Sequence, residues 1–461
     1  WDHPNMPWDD TELWVADLTL TGGSATISNA SRVAGGDAES VMQPEWAPDG
    51  TLYVISDRSD WWNVYRVADD GDLVNVLPID HKVGLPAWIF GRPAYGIADD
   101  GSVVLTYSSD GLARLACVKP DGSSETRVLD RLSLGSLRID GSTVAAIATS
   151  VDREPEIVSI TTGDEFGEVV LRPARELGID ASTFSTPEHI TFPSGEGRVA
   201  HAWFYPPASA EHCGPDGELP PLIVMSHGGP TSAASAAFNL SWQFWTTRGF
   251  AVVDVNYGGS TGYGRTYRRL LNGMWGVVDV GDCCAAAEYL SSEGLVDGDR
   301  LAIRGGSAGG YTTLAALAFT DTFKAGANHF GVSDIGALIE HTHKFESRYD
   351  DALIGPFADL KDQLVRERSP IFHVDGFSCP LITFQGLEDV VVPPAQSEAI
   401  VDALDERGIP HAYLAFEGEQ HGFRKSETIV TVLNAELSFY GQVFGFEPAG
   451  ITEPVEVKHL N

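Results

Sequence analysis

Residues 301–319 constrain the fold of this chain more than any other stretch. An apolar run (301–303) leads into Arg304-Gly-Gly-Ser307-Ala-Gly-Gly-Tyr311, and a helix-like stretch (311–319) follows. A serine with glycine at −2 and +2, where a strand turns sharply into a helix, presents a nucleophilic hydroxyl. The turn strains the serine backbone, and only residues without a Cβ fit where strand and helix nearly touch. The chemistry implied is acyl transfer through a covalent serine ester. A second match, Gly258-Gly-Ser260-Thr-Gly262, also follows a strand-like run (250–256). The residues after it, Gly262-Tyr-Gly-Arg-Thr-Tyr-Arg-Arg, are polar, basic and broken by glycine, and read as a loop. Ser307 is therefore the expected nucleophile, and Ser260 is not.

A serine nucleophile needs a base, and the base needs an acid that orients it. In this context the chain order is Ser, acid, His. Downstream histidines are His329, His341, His343, His373, His411 and His421. His421 lies in Glu-Gly-Glu-Gln-His421-Gly, just past an apolar run (411–416), where a loop can carry an imidazole over a sheet edge. His329 ends an apolar run and reads as core. His341 and His343 stand near Glu340 and Glu346 on a polar stretch and read as solvated rather than metal-bound. Asp389, in Gln385-Gly-Leu-Glu-Asp389-Val, follows a strand-like run (380–385) and precedes His421; Glu388 is its adjacent rival. Asp402 and Asp405 fall on a polar helix-like stretch and read as a solvated face. Two N–H groups should hold the developing oxyanion. One is Ala308, directly after the nucleophile. The other is Gly229, in His227-Gly-Gly-Pro230 after the apolar run 222–226.

Two textures divide the chain. Residues 1–171 are short strand patterns broken by turns at Asp49-Gly50, Asp100-Gly101 and Asp140-Gly141, each followed by two strands. Hairpins repeated at this period read as blades of a β-propeller. Three such units, plus a lone strand over 13–18, fall short of a closed ring of four or more blades. Either the chain is an N-terminally incomplete piece of a longer one, or its open edges are capped by another copy in a homo-oligomer. Residues 172–187 read as a linker. From 188 to 461 strand patterns (189–192, 199–205, 222–226, 251–256, 301–304, 325–330, 381–385, 412–416) interleave with helix patterns (233–248, 282–292, 311–319, 395–407, 427–442). The fold class expected is α/β: a C-terminal α/β-hydrolase domain with an eight-stranded, mostly parallel sheet, preceded by an all-β partial propeller.

This organisation resembles the prolyl oligopeptidase family of serine peptidases, in its acylaminoacyl-peptidase and dipeptidyl-aminopeptidase branch. The matching residues are His227-Gly-Gly-Pro230, Asn256-Tyr-Gly-Gly-Ser-Thr-Gly-Tyr-Gly-Arg265, Gly305-Gly-Ser-Ala-Gly-Gly310, Gln385-Gly-Leu-Glu-Asp389 and Glu419-Gln-His421-Gly. Trp1-Asp-His-Pro-Asn-Met-Pro-Trp8 also looks like a mid-propeller segment of such proteins. The resemblance implies a Ser307–Asp389–His421 triad, oxyanion donors Gly229 and Ala308, and peptide substrates admitted past a propeller. It also points to Val332, Ile335 and Leu338 either as lining of the primary specificity pocket or, equally, as core. Two features depart from the family. No Glu-Glu pair precedes the hydrolase region, where dipeptidyl peptidases read a free amine. His227 stands where some relatives use a tyrosine hydroxyl on the oxyanion. A carboxylesterase would use the same catalytic parts without a propeller, and a non-catalytic propeller binding module would lack a triad member.

Composition narrows the partners. The net charge of −35, from 65 acids and 30 bases of which seven are lysine, excludes the basic footprint of nucleic-acid binding. No apolar stretch is long enough to span a membrane. Five cysteines without metal-like spacing read as free thiols of a reducing, cytoplasmic compartment, and nothing in the pattern requires a cofactor or a metal. An acidic, lysine-poor surface resembles that of proteins from salt-loving organisms. In molar salt the Debye length is about 3 Å, so self-repulsion of such a surface is largely screened. The melting temperature is therefore expected to rise between dilute buffer and molar KCl; an unchanged value contradicts the assignment.

Overall fold

The alternation of short strands with Asp-Gly turns folds as the pattern requires. The computed structural model of the chain describes residues 1–461 except 37, 164–165, 356–360, 452 and 461. Two compact units emerge. The first comprises Trp1–Gly178 with the short segments Ala236–Asn239 and Thr261–Arg268; the second comprises Ile179–Ser235, Leu240–Ser260 and Arg269–Asn461.

The first unit holds three four-stranded antiparallel sheets, each a simple meander. Their strands are Val41–Trp46, Leu52–Ser59, Trp61–Val67 and Leu73–Asn75; Tyr95–Ile97, Val103–Ser109, Leu112–Val118 and Ser124–Leu129; and Ser133–Asp140, Thr143–Thr149, Glu156–Thr161 and Gly167–Arg172. Each Asp-Gly turn joins the first strand of a sheet to the second. The reason is local: Asp49 Oδ1 accepts the Thr51 N–H and Asp100 Oδ1 the Ser102 N–H, both at 2.9 Å, around a glycine of positive φ. The two strands expected after each turn are the middle pair. The outermost strands escape the pattern because they carry little apolar alternation; Ser124–Leu129 is exposed over five of its six residues. The second and third blades share one apolar cluster that includes Val104, Leu115, Leu137, Val158 and Ile160.

Two expectations for this unit are corrected. The strand over 13–18 is not alone: Glu12–Thr21 pairs antiparallel with Ser24–Gly35 in a two-stranded sheet. The partner strand is polar and almost wholly exposed, so it leaves no apolar alternation to read. The stretch after Ser260 is not all loop, for Gly264–Arg268 forms a short helix. What holds it is tertiary. Arg268 donates to the fully buried Asp57 carboxylate at 2.5 Å and lies over the Trp62 ring at 4.3 Å, and Thr266 N donates to Asp60 Oδ1 at 2.7 Å.

The second unit is built on one eight-stranded sheet. In spatial order its strands are Glu188–Ser194, Arg198–Tyr205, Ala251–Asn256, Leu222–Ser226, Leu301–Gly306, Ala325–His329, Leu381–Gly386 and His411–Phe416. The first three pair antiparallel and the rest parallel. Parallel strands covered on both faces read as continuous apolar runs, which is why every residue of Leu222–Ser226 and Ala251–Asn256 is buried. Helices Val278–Ser292, Ala308–Phe319, Pro394–Arg407 and Ser426–Phe444 match the patterns expected. The helix expected over 233–248 is confined to Leu240–Thr246. Ahead of it the backbone bonds elsewhere, with Ala234 N donating to Asn256 Oδ1 at 2.8 Å.

A buried charge cluster ties the sheet to its last helix. Arg304 Nε lies 2.8 Å from Glu436 Oε1, Tyr440 OH donates to the same oxygen at 2.9 Å, and His329 Nε2 lies 3.1 Å from Glu436 Oε2. Burial raises the Glu436 carboxyl, but the Arg304 charge with the His329 and Tyr440 bonds holds it below its ordinary value. His329 Nε2 also stands 3.0 Å from Arg304 Nη2, so it accepts from the guanidinium or donates to the carboxylate, not both. Replacing Arg304 alone strands a buried carboxylate. Arg304→Met is expected to cost about 3–5 kcal/mol in denaturant unfolding, with much of the loss recovered in the Arg304→Met, Glu436→Gln double variant. Equal losses in the two proteins contradict this.

Candidate active site

The parallel strands deliver their loops to one edge of the sheet. Ser226 pairs with Gly305 and Gly306 with His329, so the loops after Ser226, Gly306 and His329 leave the sheet side by side at its carboxyl ends. This is where open α/β sheets bind ligands. Ser307 caps the helix Ala308–Phe319 with φ 58° and ψ −122°, a conformation that L residues rarely hold. Its N–H donates to His329 O at 3.0 Å. Two glycines make the turn feasible. A Cβ on Gly305 would overlap the Gly309 carbonyl, and one on Gly309 would overlap the Ser226 carbonyl.

Asp389 and His421 are brought together as a pair. His421 Nδ1 lies 2.7 Å from Asp389 Oδ2, and the other carboxylate oxygen accepts the N–H groups of Val391 and Val392, each at 2.9 Å. Asp389 is 4% exposed, and three donors fix the acid that bonds to the imidazole. The rival Glu388 is exposed; its N–H donates to Glu419 O at 2.9 Å and ties the acid loop to the histidine loop. Ser307 Oγ itself makes no hydrogen bond to His421. The two are linked through Phe330, whose ring packs against Gly306 and meets the His421 ring edge-on at 4.9 Å. Catalytic bonds of this kind are often long before substrate arrives and tighten with it.

Ser307 opens into a cleft with Ala308, Gly229, Pro230, Trp275, Val332, Leu338 and Leu353 among its lining residues. Of the three residues expected to form the specificity pocket, Val332 and Leu338 line it. Ile335 does not; it is fully buried at the start of the helix Ile335–His341, with its N–H bonded to Ser369 Oγ at 3.0 Å. Ala308 begins a twelve-residue helix whose first amides are free of intrahelical partners, so the positive end of its dipole lies next to Ser307. The Gly229 side approaches closely too: a Cβ on Gly228 would sit 3.6 Å from Ser307 Cβ. His227 does not take the place of a tyrosine on the oxyanion. Its Nε2 lies 2.8 Å from Ser260 Oγ, its Nδ1 2.9 Å from Gly228 O, and its ring stacks on Tyr257 at 4.3 Å. Ser260 is fully buried in that contact.

The cleft also holds two carboxylates that the sequence pattern did not single out, Glu346 and Asp350. Burial pushes the Asp350 carboxyl up to about 7, against the Lys361 charge and helped by Glu346. Burial likewise raises Glu346, against the neighbouring imidazoles of His343 and His421. Neither acid lies on a recognisable motif, and only the fold places them beside Ser307.

Comparison with known proteins follows the same lines. Residues 236–447 match the prolyl oligopeptidase family. A puromycin-hydrolyzing peptidase of Mycobacterium tuberculosis is 42% identical with a TM-score of 0.94, the match covering 99% of this chain and 69% of that one. The chain belongs to the prolyl oligopeptidase family. Further family relatives are a puromycin hydrolase of known structure (40% identity, TM-score 0.93, 99% and 69% coverage) and the dipeptidyl aminopeptidase BIII of Pseudoxanthomonas mexicana (33% over 240 residues). Dipeptidyl peptidase family member 6 of Caenorhabditis elegans is 28% identical over 86% of this chain. These matches span 54% of the nematode protein and 34% of the bacterial aminopeptidase, so this prolyl oligopeptidase family chain spans about half or less of the length of the curated relatives it matches.

The geometry sets a mutational order. Ser307→Ala is expected to abolish hydrolysis of a p-nitrophenyl ester while leaving the melting curve in place, and Asp389→Asn to lower kcat by about 10⁴ through loss of the imidazole's orientation. A larger loss from Ser260→Ala than from Ser307→Ala contradicts the assignment.

Proposed function

We propose that this chain is a serine-type peptidase that cleaves short peptides through an acyl-enzyme, with Ser307, Asp389 and His421 as its triad. His421 takes the Ser307 proton as Oγ attacks the carbonyl carbon. The N–H groups of Ala308 and Gly229 hold the oxyanion, and the imidazolium, steadied by Asp389, gives its proton to the leaving amine. Water then attacks the ester with His421 again as base, releasing the acid and restoring Ser307. The observation that carries the reading is the Asp389–His421 bond at the same sheet edge as a strained Ser307 at a helix N-terminus.

The cleft refines the substrate class. Apolar walls from Val332, Leu338 and Leu353 with Glu346 and Asp350 among them suit a residue that is apolar in body and carries a positive charge. A free α-amine or a basic side chain meets that description; an N-acylated residue does not. This favours an aminopeptidase-like mode over acylaminoacyl release, and amide over simple ester substrates. The carboxylesterase and non-catalytic alternatives lose ground to the propeller blades and to the complete set of catalytic side chains. The five cysteines are free thiols, which suits a reducing cytoplasm, and among the described residues no helix is long and apolar enough to cross a membrane. The acidic surface supports function at high salt.

Hydrolysis of aminoacyl, N-acylaminoacyl and ester substrates with one chromophore, at high salt, tests the substrate class. The aminoacyl anilide is expected to be preferred. Asp350→Asn and Glu346→Gln should raise its KM by roughly tenfold or more while changing the acylated substrate little, since a charge-assisted bond is lost for the first alone. Because Asp350 protonates as the pH falls through about 7, the preference should shrink on acidification and be greatest above that pH. An acylated substrate hydrolysed faster than its free-amine counterpart, with neither variant altering the ratio, overturns the aminopeptidase mode.

A further inference from the structure

Away from the cleft, at the outer edge of the second unit's sheet, three side chains with metal-binding atoms converge. Asp405 projects from the helix Pro394–Arg407, His411 opens the last strand His411–Phe416, and His459 lies in the segment beyond the last helix. That segment is placed by a backbone bridge: Lys458 N donates to His411 O at 2.8 Å, and His411 N donates to Lys458 O at 3.1 Å. The bridge sets His459 beside the strand. Asp405 Oδ1 lies 2.7 Å from His459 Nε2 and 4.0 Å from His411 Nε2, and one ligand-type atom from each residue lies within 4.8 Å of the others.

His411 gives the cluster its meaning. The residue is 1% exposed, its Nδ1 lies 2.9 Å from Ile409 O, and its Nε2 has no hydrogen-bond partner. A carbonyl on Nδ1 fixes the proton there and leaves the Nε2 lone pair directed at the cluster, which is how proteins prepare an imidazole for a metal. Among the described residues no donor or acceptor bonds this buried ring nitrogen, which stands beside a carboxylate. Asp405 supplies the charge, held down to about 2 by its bonds from His459 and Lys458. Lys458 Nζ sits 3.0 Å from Oδ2, the other oxygen of Asp405, and opposes a metal there. The net charge of −35 works the other way by raising cation concentration at the surface.

We propose that Asp405, His411 and His459 form a binding site for a divalent transition-metal ion of the zinc class. Two imidazoles and a carboxylate are a donor set for such ions, whereas calcium and magnesium prefer oxygen alone. Tetrahedral bonds of about 2.0–2.2 Å require only small movements of the two half-exposed side chains, Asp405 and His459. On binding, the metal replaces the proton between His459 Nε2 and Asp405, and that proton passes to Nδ1 or to solvent. Solvent fills the fourth position. The ion would staple the segment around His459 to the last strand and to the helix before it, so its effect is on stability and not on the chemistry at Ser307.

The test is Zn²⁺ binding to the full chain by equilibrium dialysis with metal analysis, alongside melting curves with Zn²⁺ and with EDTA. One ion per chain is expected, with a rise in melting temperature that EDTA reverses. His459→Ala and Asp405→Asn, both at exposed positions, should weaken binding by at least about tenfold and remove the thermal shift while ester hydrolysis stays at the wild-type rate. Cys213→Ser, which removes the exposed thiol, should bind as the wild type does. Absence of bound ion with free Zn²⁺ in excess, or unchanged stoichiometry and affinity in His459→Ala, overturns the proposal.

Discussion

The second unit depends on a crossing of backbones that no side chain interrupts. The helix that begins at Ala308 starts so close to the strand Leu222–Ser226 that a Cβ on Gly309 would strike the Ser226 carbonyl, and a Cβ on Gly305 would strike Gly309. That contact holds Ser307 in its strained conformation. It also aims the helix N-terminus at the space above Ser307 and brings the Gly228-Gly229 loop alongside. The placement of Ser307, the Ala308 amide and the Gly228-Gly229 loop thus follows from one steric requirement. The acid–imidazole pair is positioned separately, through two amides on Asp389 and the Glu388–Glu419 backbone bond. Phe330 is the physical link between the two halves, since its ring touches both the glycine turn and His421.

Acidic residues do two unlike jobs in this chain. Most lie on the surface, where their mutual repulsion answers to salt. A few are interior, and several of these have dedicated donors. Asp282 takes the Gly258 N–H at 2.7 Å and Arg198 at 3.0 Å; Asp279 takes the Gly276 N–H and the Thr312 hydroxyl, both at 2.6 Å. Burial nevertheless pushes Asp279 up to about 6 and Asp254 up to about 7. Their folded values stand above the ordinary carboxyl range. The stability they contribute is therefore complete below about pH 4 and is lost as the pH rises through about 6 to 7. Salt screens little of this, because the groups are out of water.

What could be read from the sequence was whatever has a local cause. The strand–turn–helix around Ser307, the Asp-Gly turns and the apolar runs of the parallel sheet each announce themselves within a few residues. Asp389 and His421 were legible because each follows a strand directly. The hairpin partner Ser24–Gly35 and the outer blade strands were not, because exposed strands held by pairing alone carry no apolar period. Gly264–Arg268 was missed because Asp57 and Asp60, some two hundred residues earlier, make it a helix. Ile335 is buried although it lies three residues from Val332 and three from Leu338, because it opens the helix, where its N–H is held by Ser369 Oγ away from the cleft lining. Glu346 and Asp350, and the Asp405–His411–His459 cluster, have no sequence signature at all. Asp405 even read as a solvated face, because nothing in its own helix reports that two imidazoles arrive from a strand and a later segment.

The central claim is that Ser307 alone among the serines is both exposed to substrate and activated by His421. Treatment of the native protein with a fluorophosphonate, followed by peptide mass spectrometry, tests it most directly. The account predicts a single phosphonylated peptide containing Ser307, formed far more slowly in His421→Ala. An adduct on Ser260, or labelling of Ser307 at the same rate without His421, would contradict it.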